Sequence, residues 1–350
     1  MNDKDVKKIV EFNELLSLSQ KNDKAIIGRP DIIRADEYDN IYVSDVLAVS
    51  IKVFDKKGDF LFEFGKRGNG PQEMLQISAM DIKSDTLVVL DRGNLKILLW
   101  KIGESLPVFL TEFKVPNNNG QDLALLNNNQ FVLLSKLTTE NDLVHVYEYD
   151  NNIFTKKHDL IPFDTNPLSA DKFVLEDIAP SPGVMWIDKE KNQVYQAPNI
   201  YGGNIFRSSL ENKNSVIKIK GIEIAKPYTL LKTPPPGLKY YTSLSSDSDQ
   251  YLAVVHYKSV SVFDDNEWIF HFYSFQKDGM SPYILGTELF RKSNLDFAGH
   301  DSKVSLTLKN NNKIEAMFFP KWKDNKNRYY IIDVSSGIPE IRIASLKVQG

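Results

Sequence analysis

Laying Asp39 on Asp85 superimposes two stretches of this chain without a gap, at an offset of 46 residues. Ile41-Tyr42-Val43-Ser44-Asp45 falls on Leu87-Val88-Val89-Leu90-Asp91, and Ile51 to Phe54 falls on Ile97 to Trp100. The apolar runs in each copy are short, about four to eight residues, and rich in β-branched and aromatic side chains, which is the pattern of strands and not of helices. A weaker third copy reads Asn129 to Ser135, with its next strand delayed to His145 to Asp150. A repeat of about 40–50 residues made of short strands predicts a β-propeller in which each repeat folds as one blade. The expected fold class is therefore all-β, a six-bladed β-propeller of four-stranded antiparallel blades.

On this register the blades are expected at about 32–65, 77–115, 122–162, 173–221, 240–285 and 304–348, in one domain over 1–350. Residues 6–19 precede the first repeat and are expected to give the last blade its outer strand, because a ring must be latched where its ends meet. The equivalence also predicts that Phe54 and Trp100 occupy matching third-strand positions, with Val53 and Leu99 on the opposite faces of those strands and all four buried. The run Thr233-Pro234-Pro235-Pro236-Gly237 reads as a stiff connector that cannot be a central strand.

Composition limits the function classes. With 43 basic and 46 acidic residues the net charge is −3, so no global field draws in nucleic acid or an anionic membrane. The absence of cysteine removes disulfides, thiolate nucleophiles and cysteine-ligated metals. No apolar run approaches the roughly 20 residues that span a bilayer, and the N-terminus MNDKDVKKIVEFNELL lacks the apolar core of a secretory signal. As written, this is expected to be a soluble monomer with no membrane span, no signal peptide and no cofactor.

Several patterns invite a chemical reading. Gly65-Lys66-Arg67-Gly68-Asn69-Gly70 is glycine-rich, yet a phosphate cradle needs a helix N-terminus and Pro71 and a further strand follow instead. Gly68 and Gly70 are expected to supply positive φ where the chain leaves the outer strand. Asp45 and Asp91 recur at the end of the second strand, where turn capping is a stronger reading than metal binding. Ser246-Asp247-Ser248-Asp249 lacks the glycine and the glutamate of a calcium loop and reads as a turn. The histidines His145, His158, His256, His271 and His300 have no metal spacing, and no G-x-S-x-G elbow exists. Lys321, Lys323, Lys326 and Arg328 around Trp322 could stack a nucleic acid, but Asp324 and Asn325 in the same loop favour a solvated turn.

At FDKKGDFLFEFGKRGNGPQEM the sequence resembles the NHL-type and TolB-like six-bladed β-propellers common among envelope proteins of Bacteroidetes. The resemblance rests on Phe54-Asp55, Gly58, Phe64-Gly65 and the exit Gly68 to Glu73. It is specific over the first blade, fair over the second and architectural beyond about Pro162. It implies a six-bladed ring and frequent export as a lipoprotein, and it carries over no catalytic residue. A periplasmic or envelope address is implied if a leader precedes this sequence.

In a propeller, the loops joining second to third strands and those joining successive blades gather at one mouth of the central channel. On the present register that mouth receives Arg67, Arg92, Asn199, Tyr201, Tyr240 and Tyr241. Aromatic residues and arginines at a concave mouth suit a peptide, glycan or protein partner. The expected function is a non-catalytic binding or scaffold propeller acting there. The alternative is an NHL-like lyase or lactonase with a divalent cation on the axis, which needs at least three ligands aimed at one point.

Overall fold

The structure, a computed structural model, describes residues 6–20, 23–103, 105–116, 120–127, 129–135, 142–150, 153–162, 183–198, 204–211, 215–221, 228–231, 251–255, 257–275 and 284–350. The chain is all-β, a six-bladed β-propeller of four-stranded antiparallel blades, with no α-helix among the described residues. It divides into two compact units.

The larger unit comprises Lys8–Leu134, His145–His158 and Lys303–Gly350. Its first blade pairs Pro30–Ala35, Ile41–Asp45, Ser50–Phe54 and Phe60–Phe64 in chain order, and its second pairs Ile77–Lys83, Thr86–Asp91, Lys96–Lys101 and Val108–Lys114. The 46-residue offset holds at the level of hydrogen-bonded register. Ile41 stands opposite Phe54 and Leu87 opposite Trp100, and the third-to-fourth strand pairing slips at Val53/Phe54 in one blade and at Leu99/Trp100 in the other.

Burial follows from having neighbours on both faces. All five residues of Ile41–Asp45 and of Ser50–Phe54 are buried, while the outer strand Phe60–Phe64 alternates half-buried and exposed. Phe54 packs with Tyr330, Ile332 and Ile343 of the last blade, and Val53 on the opposite face packs with Leu87, Leu98 and Trp100 of the second. Leu99, opposite Trp100, packs with Leu123, Phe131 and Tyr147 of the third blade. Each aromatic meets an outer-strand phenylalanine edge-on, Phe54 with Phe60 at 5.8 Å and Trp100 with Phe109 at 5.7 Å.

The last blade is Phe318–Lys323, Tyr329–Asp333 and Glu340–Gln349, completed by the N-terminal strand Ile9–Ser17 running antiparallel to Glu340–Gln349. Phe12 anchors that strand, its ring edge-on to Tyr329 and Phe318. The blade's first strand begins at Phe318. Ser305–Thr307 adds to the far side of Ile9–Ser17 in parallel, and Lys313–Ile314 pairs with it, so this sheet has six strands. Leu306 on the added strand is fully buried, which explains why this segment pairs with the N-terminal strand.

The second unit comprises Met1–Lys7, Ser135–Val144 and Asp159–Ser302. One sheet is Val184–Asp188, Gln193–Ala197, Asn204–Ser209 and Ile217–Lys220, and another is Tyr257–Asp264, Trp268–Phe275, Ile284–Arg291 and Phe297–Asp301. The blade expected over 240–285 is thus displaced toward the C-terminus. Trp268–Phe275 has six consecutive buried residues and is a middle strand, so it needs Ile284–Arg291 and then Phe297–Asp301 outside it. Tyr251–Val255 pairs instead with Tyr228–Leu231 as a separate two-stranded sheet. A further four-stranded sheet, most of whose residues belong to the larger unit, orders Gly120–Leu125, Gln130–Ser135, Asp142–Asp150 and Ile153–Pro162, and Lys66–Arg67 pairs in parallel with Glu73–Met74.

Candidate functional site

Within the larger unit the first strands of successive blades lie against one another: Phe318–Lys323 beside Pro30–Ala35, then Ile77–Lys83, then Gly120–Leu125. Charged side chains interrupt these otherwise apolar strands, and they meet. Arg34 stands between Trp322 on one side, its guanidinium 5.6 Å from the ring centroid, and Asp81 on the other at 3.4 Å. Lys321 Nζ reaches Asp31 at 2.7 Å. The second oxygen of Asp81 accepts the Leu125 N–H at 2.8 Å. Burial pushes the Asp122 carboxyl up to about 6, with Arg34 and the Leu123 N–H opposing the rise and Asp81 and Asp31 adding to it.

One end of these strands is a set of interlocked loops. The Asp45 carboxylate accepts N–H groups from Gly28, Arg29 and Leu47 at 2.8, 3.1 and 3.0 Å. Burial alone would raise this group, but those donors and Ala48 outweigh it and hold it below the usual carboxylate range. One blade on, the Asp91 carboxylate accepts from the Leu75, Gln76 and Gly93 N–H groups and from the Asn94 side chain. Both aspartates cap turns, and their lone pairs are spent on backbone and, for Asp91, on the Asn94 amide as well.

Asn94 also donates to the Gly68 carbonyl at 2.9 Å, tying the second blade's loop to the exit of the first. That exit is built around Glu73, whose carboxylate is held low by the Lys66 ammonium and the Gly70 N–H. Gly68 and Gly70 do not adopt positive φ, contrary to expectation; Gly65 does, at +79°. What a side chain would meet is Glu73: a Cβ on Gly68 would come within 2.0 Å of its carboxylate oxygen. These two glycines are small because an ionised side chain folds over them, a relation between neighbours in space that no local φ argument reveals.

Of the expected mouth residues, Arg67 and Arg92 both fall on this loop set. Arg67 is exposed and donates to the Leu47 carbonyl at 3.2 Å. Arg92 is half-buried, its Nη1 donating to Gln121 at 2.7 Å and its Nε reaching Gln76 at 3.4 Å. Asn199, Tyr201, Tyr240 and Tyr241, the triple proline, the Ser246 to Asp249 turn and His256 lie outside the described residues. Sequence reasoning missed Arg29, Arg34, Asp81 and Asp122. A single charge inside an apolar first strand was the signal available for the last three.

The other patterns resolve into structure. Lys321, Lys326 and Arg328 are spent on Asp31 and Asp39, with Arg328 also on Asp324. His145 and His271 are buried strand residues. His271 joins Ser259 at 3.1 Å and Glu288 at 3.1 Å across three adjacent strands. The order serine, histidine, carboxylate matches a nucleophile relay, but Ser259 is 1% exposed and its partners are fully buried, so the chain of bonds ties strands together. Among the described residues no group of three or more His, Asp or Glu converges as a metal site.

A family model described as 6-bladed beta-propeller, DUF5128, matches residues 1–163. No curated protein matches the sequence. Among solved structures, a Bacteroides fragilis protein assigned as exported aligns over 98% of this chain and 96% of its own, at 12% identity and a TM-score of 0.59. A duf4221 family member from Bacteroides vulgatus aligns over 99% and 98%, at 8% identity and 0.59. At such identities the likeness is one of fold.

Proposed function

We propose that this chain is a non-catalytic binding propeller that engages a peptide, glycan or protein partner where the loops around 45–49, 66–76 and 91–95 meet the first strands. One observation carries the reading: these loops are tied to one another by the bonds of Asp91 to Leu75 and Gln76, of Asn94 to Gly68 and of Arg67 to Leu47, while among the described residues Arg67 and Arg92 meet neutral acceptors only. A rigid frame holding arginines is the preorganisation that recognition rewards. The whole chain acts as one domain in this proposal, and its working compartment is the cell envelope, in line with the exported assignment of the Bacteroides fragilis neighbour. No helix among the described residues is long and apolar enough to cross a membrane.

The test is a screen of immobilised peptides and glycans, followed by hydrogen–deuterium exchange on the strongest binder. Protection is expected in the three loops. A screen without binders, or protection confined to the outer strands, would refute the proposal. The lyase or lactonase alternative predicts a stoichiometric metal that survives dialysis, which elemental analysis of the purified protein detects.

A further inference from the structure

Resting on that reading, we infer that the mouth recognises an acidic peptide through Arg29, Arg67 and Arg92, with Leu47 receiving an apolar side chain between the carboxylates. Arg29 enters the site with the loop that opens the first blade: its N–H donates to Asp45, and its carbonyl accepts from Val46 at 2.9 Å. Arg67 reaches into the same loop through the Leu47 carbonyl. Arg92 belongs to the loop that Asn94 ties to Gly68, the residue after Arg67. None of the three side chains has a carboxylate within ion-pair distance among the described residues.

The local acids are already engaged. Glu73 pairs with Lys66 at 2.8 Å and Glu112 with Lys96 at 2.9 Å. Asp45 and Asp91 are buried and saturated by N–H donors. The arginines therefore keep open N–H forks, and a guanidinium fork matches a carboxylate in shape and charge. Arg92 shows this most clearly, because two glutamine amides fix its plane without neutralising it. Leu47 is 60% exposed in the midst of this set. An exposed leucine flanked by cations favours a peptide, which offers aliphatic and acidic side chains together, over a polyuronate, which offers carboxylates alone.

The probe is a fluorescein-labelled heptapeptide, Asp-Leu-Asp-Gly-Asp-Leu-Asp, titrated with the full chain by anisotropy. A peptide with Lys for Asp and a labelled oligogalacturonate serve as comparators. The acidic peptide is expected to bind, more weakly as salt rises from about 50 to 300 mM. Each of Arg29→Gln, Arg67→Gln and Arg92→Gln is expected to cost about tenfold in affinity. Leu47→Asp should abolish binding with the thermal midpoint unchanged, and Arg67→Lys should recover only part of the Arg67→Gln loss. No acidic-peptide binding, or binding indifferent to the arginine variants, overturns the inference. Equal or tighter binding of either comparator also overturns it; if that comparator protects the three loops from exchange, the mouth reading survives and only the ligand class was wrong.

Discussion

The two ends of the strand Ile41–Asp45 treat charge in opposite ways. At the Ile41 end, the turn 36–40 is capped by Asp36, which accepts from Tyr38, Asn40 and the Tyr42 hydroxyl. The turn 324–328 of the last blade repeats this with Asp324 and Tyr330. Lys326 and Arg328 then cross to Asp39 at 2.7 and 2.5 Å, bonding two blades together. At the Asp45 end the aspartates are spent on backbone, and the arginines are left with neutral partners. One end uses its arginine to bond blades together; the other spends its lysines on Glu73 and Glu112 and leaves Arg67 and Arg92 with neutral partners among the described residues.

The largest expected effect sets the scale for both ends, since it lies in the core between them. Phe54→Ala or Trp100→Ala should each cost about 3–5 kcal/mol, whereas Lys56→Ala in the hairpin turn should stay within about 0.5 kcal/mol, as urea melts can measure. Indistinguishable melts would mean that the shared register of the two blades has no energetic content. Next, Arg328→Gln removes charged bonds to Asp39 and Asp324 and should cost about 1–3 kcal/mol, while Arg67→Gln should cost under about 0.5 kcal/mol. Equal losses would erase the contrast between the ends.

Acid sharpens it further. Burial raises Asp39, but the bonds from Lys326 and Arg328 outweigh it and leave the group below its ordinary 3.8. Its contribution is therefore present above that value and lost as pH falls through the lower folded pKa. The Arg328→Gln cost should accordingly shrink as pH falls below 3.8. Asp122 has the opposite sign: its folded pKa is near 6, so the folded state pays increasingly as pH rises from about 4 to 6. Asp122→Asn should stabilise by roughly 1–2 kcal/mol at pH 7 and by little at pH 4, read as the difference between two melts.

How much of this was legible in the sequence depends on the distance over which each relation acts. The pairing of Phe54 with Trp100 was legible because two ungapped copies expose a common register, and burial on both faces writes it in apolar residues. Asp45 and Asp91 were legible as caps because each accepts from the turn just after it, through Leu47 and Gly93, whereas their bonds to Gly28, Arg29, Leu75 and Gln76 reach back to the start of the blade. The bond from Arg328 to Asp39 spans 289 residues, and no local pattern announces it. Arg34, Asp81 and Asp122 come from three blades and form a cluster only once their strands are neighbours. The fifth blade was misplaced for a related reason: the run Tyr251–Val255 has strand character but finds its partner in Tyr228–Leu231, and composition does not disclose partners.

The N-terminal strand also bears on how the protein is made. Ile9–Ser17 leaves the ribosome more than 300 residues ahead of Glu340–Gln349, the strand it pairs with. Gln20 and Pro339, joined at 2.9 Å in the finished molecule, are 319 residues apart. At roughly 5–20 residues per second that wait is on the order of twenty seconds to a minute. Through that interval Val10 and Phe12 have no sheet to enter, and the growing blades have an uncapped edge. Native pairing of these two strands is thus a late event with a long loop to close. A chaperone that holds Ile9–Ser17 during synthesis should raise the yield of folded protein more than one acting on any later strand.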